Sequence, residues 1–352
     1  MKKWLLFLCM GLVFIFGNVS HAQSDEKAEE LLEQCNEAIS SKDIISTEAY
    51  MEYEGQRALV MAVAVDAKQQ ITYMDMMGLK IYADGKNHLS YTYSEEDKIW
   101  YVAVMEDDES STAGDVDEII DTDEMVVEEE DVDYIYKGQA TYNNVLCEVV
   151  EADATDVSGE QQKLYYYINA KTFELCGIVS EAEGTKMEII YTYPDSIKIP
   201  ENVIKSAVLK PGSTFTYKKV TYDAVKSGSK VVLKVSGAKK ATGSVSIPDK
   251  VSFAGKSYTV AEIGDNAFKN NTKIKKVTIG KNVKKIGKSA FYKCKKLNQV
   301  VIKSKKVTTI GNKAFCKNAK KLKIKVPKSK YKKYKSLLNR SKSTSKYTIS
   351  KM

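Results

Sequence analysis

The chain has 352 residues, 43% of them hydrophobic and 28% charged, with five prolines and a formal net charge of +8. These proportions exclude wholesale disorder, a collagen-like chain and a multispanning membrane protein. Of the two histidines, His21 lies in the leader described next, so any mechanism needing two imidazoles after leader removal is closed.

Lys2 and Lys3 precede an apolar run from Trp4 to Gly17, and Ser20-His21-Ala22 sets small residues where a signal peptidase reads. The pattern predicts a signal peptide over 1–22, cleaved between Ala22 and Gln23, and a secreted, extracellular or cell-surface-associated product. The run is shorter than the roughly 20 residues a spanning helix needs, and no transmembrane span is expected once the leader is gone. Cys35, Cys147, Cys176, Cys294 and Cys316 then remain. They are odd in number and scattered, with no CxxC, which is neither a disulfide framework nor a zinc site. They read as buried small hydrophobes.

Charge divides the chain near Pro200. Residues 23–200 hold 12 Lys and Arg against 41 Asp and Glu, and residues 201–352 hold 40 against 5. Eight methionines lie between Met51 and Met187, and after Pro200 there is only Met352. Two domains of different origin are the economical explanation.

In the first, 23–200, Ala28, Leu31, Leu32, Cys35, Ala38 and Ile39 recur at helical spacing. They predict an amphipathic helix over Ser24–Asp43, with Ser24 or Asp25 as its cap. From residue 47 the period falls to two. About eleven strands are expected, up to residue 105 and again from 133 to 193, separated by turns such as Asp84-Gly85. On the strand from 57 to 66, Leu59, Met61, Val63 and Val65 are assigned to one face and Val60, Ala62 and Ala64 to the other. A sheet covered by one helix needs a single apolar face. The second is free to line a cavity, with Met61, Met74, Met76, Met77 and Met105 as an adaptable ligand surface; methionine filling an irregular core is the alternative. Between Glu106 and Asp133 there are fifteen acidic residues and no basic one, which predicts a solvated acidic insertion. The aspartates there lack the glycine and terminal glutamate of an EF-hand. No metal or cofactor is expected, and carboxylates on outward strand positions do not suggest catalysis. Cys147 and Cys176 fall on strands with another between them, about 9.6 Å apart at 4.8 Å per strand, beyond disulfide reach.

The order of one helix followed by a meander, with texture such as Leu79-Lys-Ile-Tyr-Ala-Asp-Gly85 and Lys98-Ile-Trp-Tyr101, resembles lipoprotein-carrier half-barrels of the LolA and LppX type. The resemblance implies an α+β half-barrel, a helix under a curved antiparallel sheet, with an apolar concavity for a lipid.

After a linker at 201–212, repeats begin: Ile263-Gly264-Asp-Asn-Ala267-Phe268, Ile286-Gly287-Lys-Ser-Ala290-Phe291 and Ile310-Gly311-Asn-Lys-Ala314-Phe315. Ile274-Lys-Lys-Val277-Thr-Ile279 and Leu297-Asn-Gln-Val300-Val-Ile302 recur between them. A fixed period predicts a short β-rich solenoid. In it glycine permits a sharp turn, alanine allows close approach, and Phe268, Phe291 and Phe315 fill the interior. Ser213–Gly237 reads as an opening hairpin of two strands, Val245-Ser-Ile247 as a partial unit, Ser329–Asn339 as a closing helix, and 341–352 as a basic tail. Residues 213–340 resemble BspA-type leucine-rich repeats, which implies a surface-binding role. Cys294 stands where that family often carries cysteine.

All but one of the 40 basic residues are lysine. A hydrated point charge suits diffuse polyanions and not base-specific reading, so the expected partner is an anionic cell-wall polymer, a glycan or a surface protein, with no specific nucleic acid. Lysines merely occupying solvent positions are the alternative.

Overall fold

The computed structural model describes residues 25–105, 133–155, 161–182, 185–319, 321–342 and 347–352. The expected cleavage site at Ala22 and Gln23 and the acidic insertion up to residue 132 lie outside these. Two compact units are present, one running to Trp100 and from Met105 to Val203, the other comprising Tyr101–Val104 and Ile204–Met352.

The first unit opens with helix α1 (Glu26–Ser40), whose amino end is capped by Asp25 accepting from the Lys27 amide at 2.9 Å. The strands are β1 (Ile44–Tyr53), β2 (Gln56–Asp66), β3 (Ile71–Met76), β4 (Leu79–Asp84), β5 (Leu89–Ser94) and β6 (Ile99–Val104), whose Tyr101–Val104 belong to the second unit, then β7 (Tyr134–Tyr142), β8 (Val145–Thr155), β9 (Gln161–Asn169), β10 (Leu175–Ala182) and β11 (Thr185–Thr192). Sequence neighbours pair antiparallel from β2 to β5 and from β7 to β11, and β1 joins the two runs by pairing with both β2 and β11. The arrangement is therefore two meanders fused at the first strand, and the described residues form no closed barrel.

Helix α1 buries Ala28, Leu31, Leu32, Cys35 and Ile39 against Ala49, Met61, Val150, Ile168, Met187 and Ile189. The period-2 reading of β2 fails at one residue. Ala49 pairs with Met61 but Tyr50 pairs with Leu59, so Val60 is bulged. The bulge transfers Leu59 to the face of Ala62, leaving it exposed while Met61 is buried. At the end of β2 the Asp66 carboxylate has no exposed surface and accepts from the Gln69 amide at 2.8 Å and the Ile197 amide at 3.3 Å.

Residues 201–212 are not a linker. They form α2 (Glu201–Ser206) and β12 (Val208–Leu209), with Ala207 and Leu209 buried, and β12 pairs in parallel with Tyr101 and Val102. The opening hairpin has three antiparallel strands, β13 (Thr214–Tyr217), β14 (Val220–Ser227) and β15 (Lys230–Gly237). Next come β16 (Gly243–Ile247), β17 (Lys250–Phe253), β18 (Lys256–Ile263), β19 (Ile274–Ile279), β20 (Lys285–Ile286), β21 (Gln299–Ile302), β22 (Thr309–Ile310), β23 (Leu322–Val326), α3 (Tyr331–Arg340) and β24 (Tyr347–Lys351).

Two parallel ladders organise them. One runs β15-β18-β20-β22, and the other β16-β19-β21-β23-β24. The partial unit at Val245 is thus the first rung of the second ladder. The residues read as a basic tail contain its last, β24, paired along its whole length with β23. Tyr334 on α3 is fully buried, and its hydroxyl donates to the Ser304 carbonyl at 2.7 Å while accepting from the Val307 amide at 3.1 Å.

Candidate functional site

In the second unit the repeated residues stack by type. Ile263, Ile286 and Ile310 pair across one ladder, and Val277, Val300 and Ile324 across the other. Phe268 lies 4.8 Å from Phe291 at 15°, and Phe291 lies 5.2 Å from Phe315 at 4°, a continuous ring stack. All three rings are buried, as are Ala267, Ala290 and Ala314. Cys294 is equally buried. Its thiol contacts the Phe268 carbonyl at 2.9 Å, and burial pushes its pKa up to about 12.

The glycines serve a purpose other than the expected turn. Gly264, Gly287 and Gly311 are absent from the glycines with positive φ. A Cβ on Gly287 would stand 2.5 Å from the backbone of Gly264 and Asp265, and one on Gly311 would stand 2.4 Å from the Lys288 amide. Glycine is required because successive coils touch there, backbone on backbone. The left-handed residues come later, at two positions per coil. Asn266, Ser289 and Lys313 occupy the first, and Asn270, Lys293 and Lys317 the second. Between them amides reach the next coil: Phe268 to the Ala290 carbonyl at 2.7 Å, Asn270 to Tyr292 at 2.8 Å, Phe291 to Ala314 at 2.8 Å and Lys293 to Cys316 at 3.0 Å. This turn ladder was not foreseen; the asparagines at 266 and 270, tolerant of left-handed backbone, were its visible signal.

Outward from the second ladder, Ser244, Lys276, Gln299, Lys323 and Thr348 form one row. Lys234 pairs with Asp223 at 2.9 Å and Lys285 with Glu262 at 3.6 Å. With 40 basic residues and 5 acidic ones after Pro200, most of the ammonium groups have no carboxylate available within the unit.

In the first unit, register brings part of the methionine set together. Met61 pairs with Met76 and Val63 with Met74, and Ile81 and Leu79 continue the row on β4. Met61 is buried under α1, so the row starts on the helix-covered face and not on the second face expected for it; Met74 and Met76 are half-buried, and Leu79 is exposed. Met77 stands apart in the β3–β4 turn, with φ of 51° and three-quarters of its surface exposed. Met105 follows β6, where its amide donates to the His88 carbonyl at 3.0 Å. No strand register joins Met77 or Met105 to the others.

The opposite face carries a polar network. Glu188 accepts from Arg57 at 2.7 Å and from the Tyr142 hydroxyl at 2.9 Å, and Tyr142 stacks on Tyr167 at 4.4 Å. The Tyr142 ring lies where a Cβ on Gly177 would be. Cys147 and Cys176 are free thiols sharing one cluster with Tyr142 and Val179. Strand spacing alone set them two strands apart, but Cys176 is the extra residue of a bulge in β10, which directs it into that cluster.

Where carboxylates of the described residues show a displaced pKa, it is displaced downward. The Tyr136 hydroxyl holds Glu148 down, Lys163 holds Glu151 and Lys42 holds Glu174. For Asp66 and Asp223 burial acts upward, but the hydrogen bond from the Gln69 amide, with others, prevails at the first, and the Lys234 ammonium and the Thr214 hydroxyl prevail at the second. A general acid working near neutrality needs the reverse shift. Among the described residues no group of three or more His, Cys, Asp or Glu is arranged to hold a metal, and no helix is long and apolar enough to cross a membrane.

Residues 249–352 match the BspA type leucine rich repeat region. The match comprises six copies. It begins later than residue 213 and extends through β24, so the three-stranded hairpin at 214–237 lies outside the repeats and the supposed tail lies inside. A search of the curated proteins finds no match. Among solved structures the chain is similar to the lipoprotein LppX of Mycobacterium tuberculosis, at 10% identity over 50% of this chain and 100% of that one, with a TM-score of 0.35. It is similar to LprF of Mycobacterium bovis, at 11% identity over 51% and 99%, TM-score 0.34. It is also similar to a leucine-rich repeat protein from Bacteroides capillosus, at 21% identity over 39% and 98%, TM-score 0.29.

Proposed function

We propose that the chain is a secreted cell-surface or extracellular binding protein. The second unit is read as a short right-handed solenoid that attaches the molecule to an anionic cell-wall polymer, a glycan or a surface partner. The first is read as a half-barrel in which Met74 and Met76, continuing the row from the helix-covered Met61, receive a lipophilic molecule. The observation that carries the reading is the repeat array itself: aliphatic, alanine and phenylalanine side chains consumed in a closed core, and lysines left outside with few acids to neutralise them. Such a surface attracts polyanions through summed charge, and the attraction weakens steeply as salt rises. The reading is one of binding without turnover. Co-sedimentation of the full chain with purified anionic cell-wall polymer tests it; binding at low salt that falls sharply at high salt is expected, and no binding at low salt overturns it.

A second reading keeps the repeats as an adhesin for a host or neighbouring-cell ligand and makes the first unit a spacer. Solvent extraction and mass spectrometry of the purified protein separate the two, because a spacer carries no stoichiometric lipid.

A further inference from the structure

We infer that the turn edge of the repeat array, at Tyr292, Lys293 and Lys317, is a subsite for an anionic glycan, binding a sugar face on the ring and its carboxylate or phosphate between the two ammonium groups. The inference rests on the reading that the repeats bind an anionic polymer, and it names where and with what chemistry.

Three observations converge. The Lys293 ammonium lies 5.6 Å and the Lys317 ammonium 5.8 Å from the Tyr292 ring centroid, so two cations from successive coils gather over one half-exposed aromatic. Coils in such a ladder are about 4.8 Å apart, which lets the two charges share a single anionic group.

Both lysines also occupy left-handed backbone, at φ 58° and 57°, in a column whose first member is Asn270 at 62°. Asparagine suits that conformation and lysine does not. Lys313 in the neighbouring column shares this backbone, so the conformation serves to fix the Lys293 and Lys317 side chains at equivalent positions of successive coils.

Finally, the edge is electrically uncompensated. The turn segments 264–271, 287–294 and 311–318 contain one acid, Asp265, and its carboxylate is occupied by the Lys288 amide at 2.7 Å. Lys293 and Lys317 enter none of the described ion pairs, and Lys269 adds a further exposed charge in the column of Tyr292. An aromatic ring beside paired cations fits a ligand with apolar C–H faces and periodic negative charge. A sugar acid polymer has both, whereas a plain polyanion has only the second.

The test uses the full chain and oligogalacturonate as probe, with polyacrylate as an anion lacking sugar rings. Lys293→Asn with Lys317→Asn preserves the backbone, since Asn270 already occupies that column. Lys276→Ser with Lys323→Ser removes the same charge from the ladder row, where Ser244 is the natural occupant. The turn-edge pair is expected to lower oligogalacturonate affinity by about tenfold more than the ladder pair at equal salt. Tyr292→Ser is expected to weaken oligogalacturonate binding and leave polyacrylate binding unchanged; thermal melts confirm that each variant is folded. Equal losses for the two lysine pairs, or equal losses of both probes in Tyr292→Ser, overturn the subsite while the general polyanion reading stands. Failure of the unaltered chain to bind either probe at low salt overturns both.

Discussion

The two units reach a buried core by different routes. In the first, β1 finds β11 across more than a hundred residues, and a helix, a bulge and a fused pair of meanders each contribute once. In the second, the same contacts recur every 23 or 24 residues, each coil using its neighbour as the surface on which to bury itself. A repeat array concentrates its vulnerability in the stacked positions, because one side chain serves two interfaces. A sheet joined by distant pairing spreads it among unique contacts.

The sharpest way to break this contrast is Phe291→Ala. The ring stacks on Phe268 and Phe315 at once, and truncation of a buried phenylalanine costs about 3–5 kcal/mol. Urea titration should show a loss in that range confined to the second unit; a loss no larger than for a single-contact core residue would erase the distinction. Gly287→Ala is expected to cost about 1–3 kcal/mol, since the added methyl meets backbone that cannot move without parting the coils. A neutral result there would mean the coils are not held in backbone contact.

In the first unit, Asp66 contributes to the pH dependence beside Glu148, Glu151 and Glu174. Its folded pKa lies below the ordinary carboxylate value of 3.8, so its contribution is complete at neutral pH and is lost as pH falls through the folded pKa. Stability of the unaltered chain should exceed that of Asp66→Asn at pH 7, by about 1.5–3 kcal/mol for a hydrogen-bonded charge, with the gap closing below about pH 4. A gap unchanged down to pH 3 would remove Asp66 as the cause. The smallest effect is expected from Tyr142→Phe, which deletes the bond to Glu188 but keeps the ring stack, at about 0.5–1.5 kcal/mol by thermal denaturation.

The same contrast explains what could be read in advance. The repeat phenylalanines, alanines and isoleucines were legible because each copy repeats the same environment, and three copies outvote local ambiguity. Strands β1 to β11 were legible in number and approximate position because alternation is a local property. Leu59 was misassigned because a bulge is decided by the pairing partner, and Met77 and Met105 were grouped with Met61 because residue type was visible but register was not. The segments 201–212 and 341–352 lie outside the recurring motif and read as linker and tail, yet Leu209 pairs with a strand about a hundred residues earlier and β24 completes the ladder on β23.

Periodicity, composition and charge, all properties of neighbouring residues, established by themselves a chain split near Pro200 into an acidic helix-and-strand region and a lysine-rich repeat region. Only tertiary structure decided which strands meet, that the repeat glycines answer coil contact and not turning, and that Lys293 and Lys317 converge on Tyr292. Those outcomes depend on the distance between residues remote in sequence, and a distance of that kind is set only when the backbone has closed on itself.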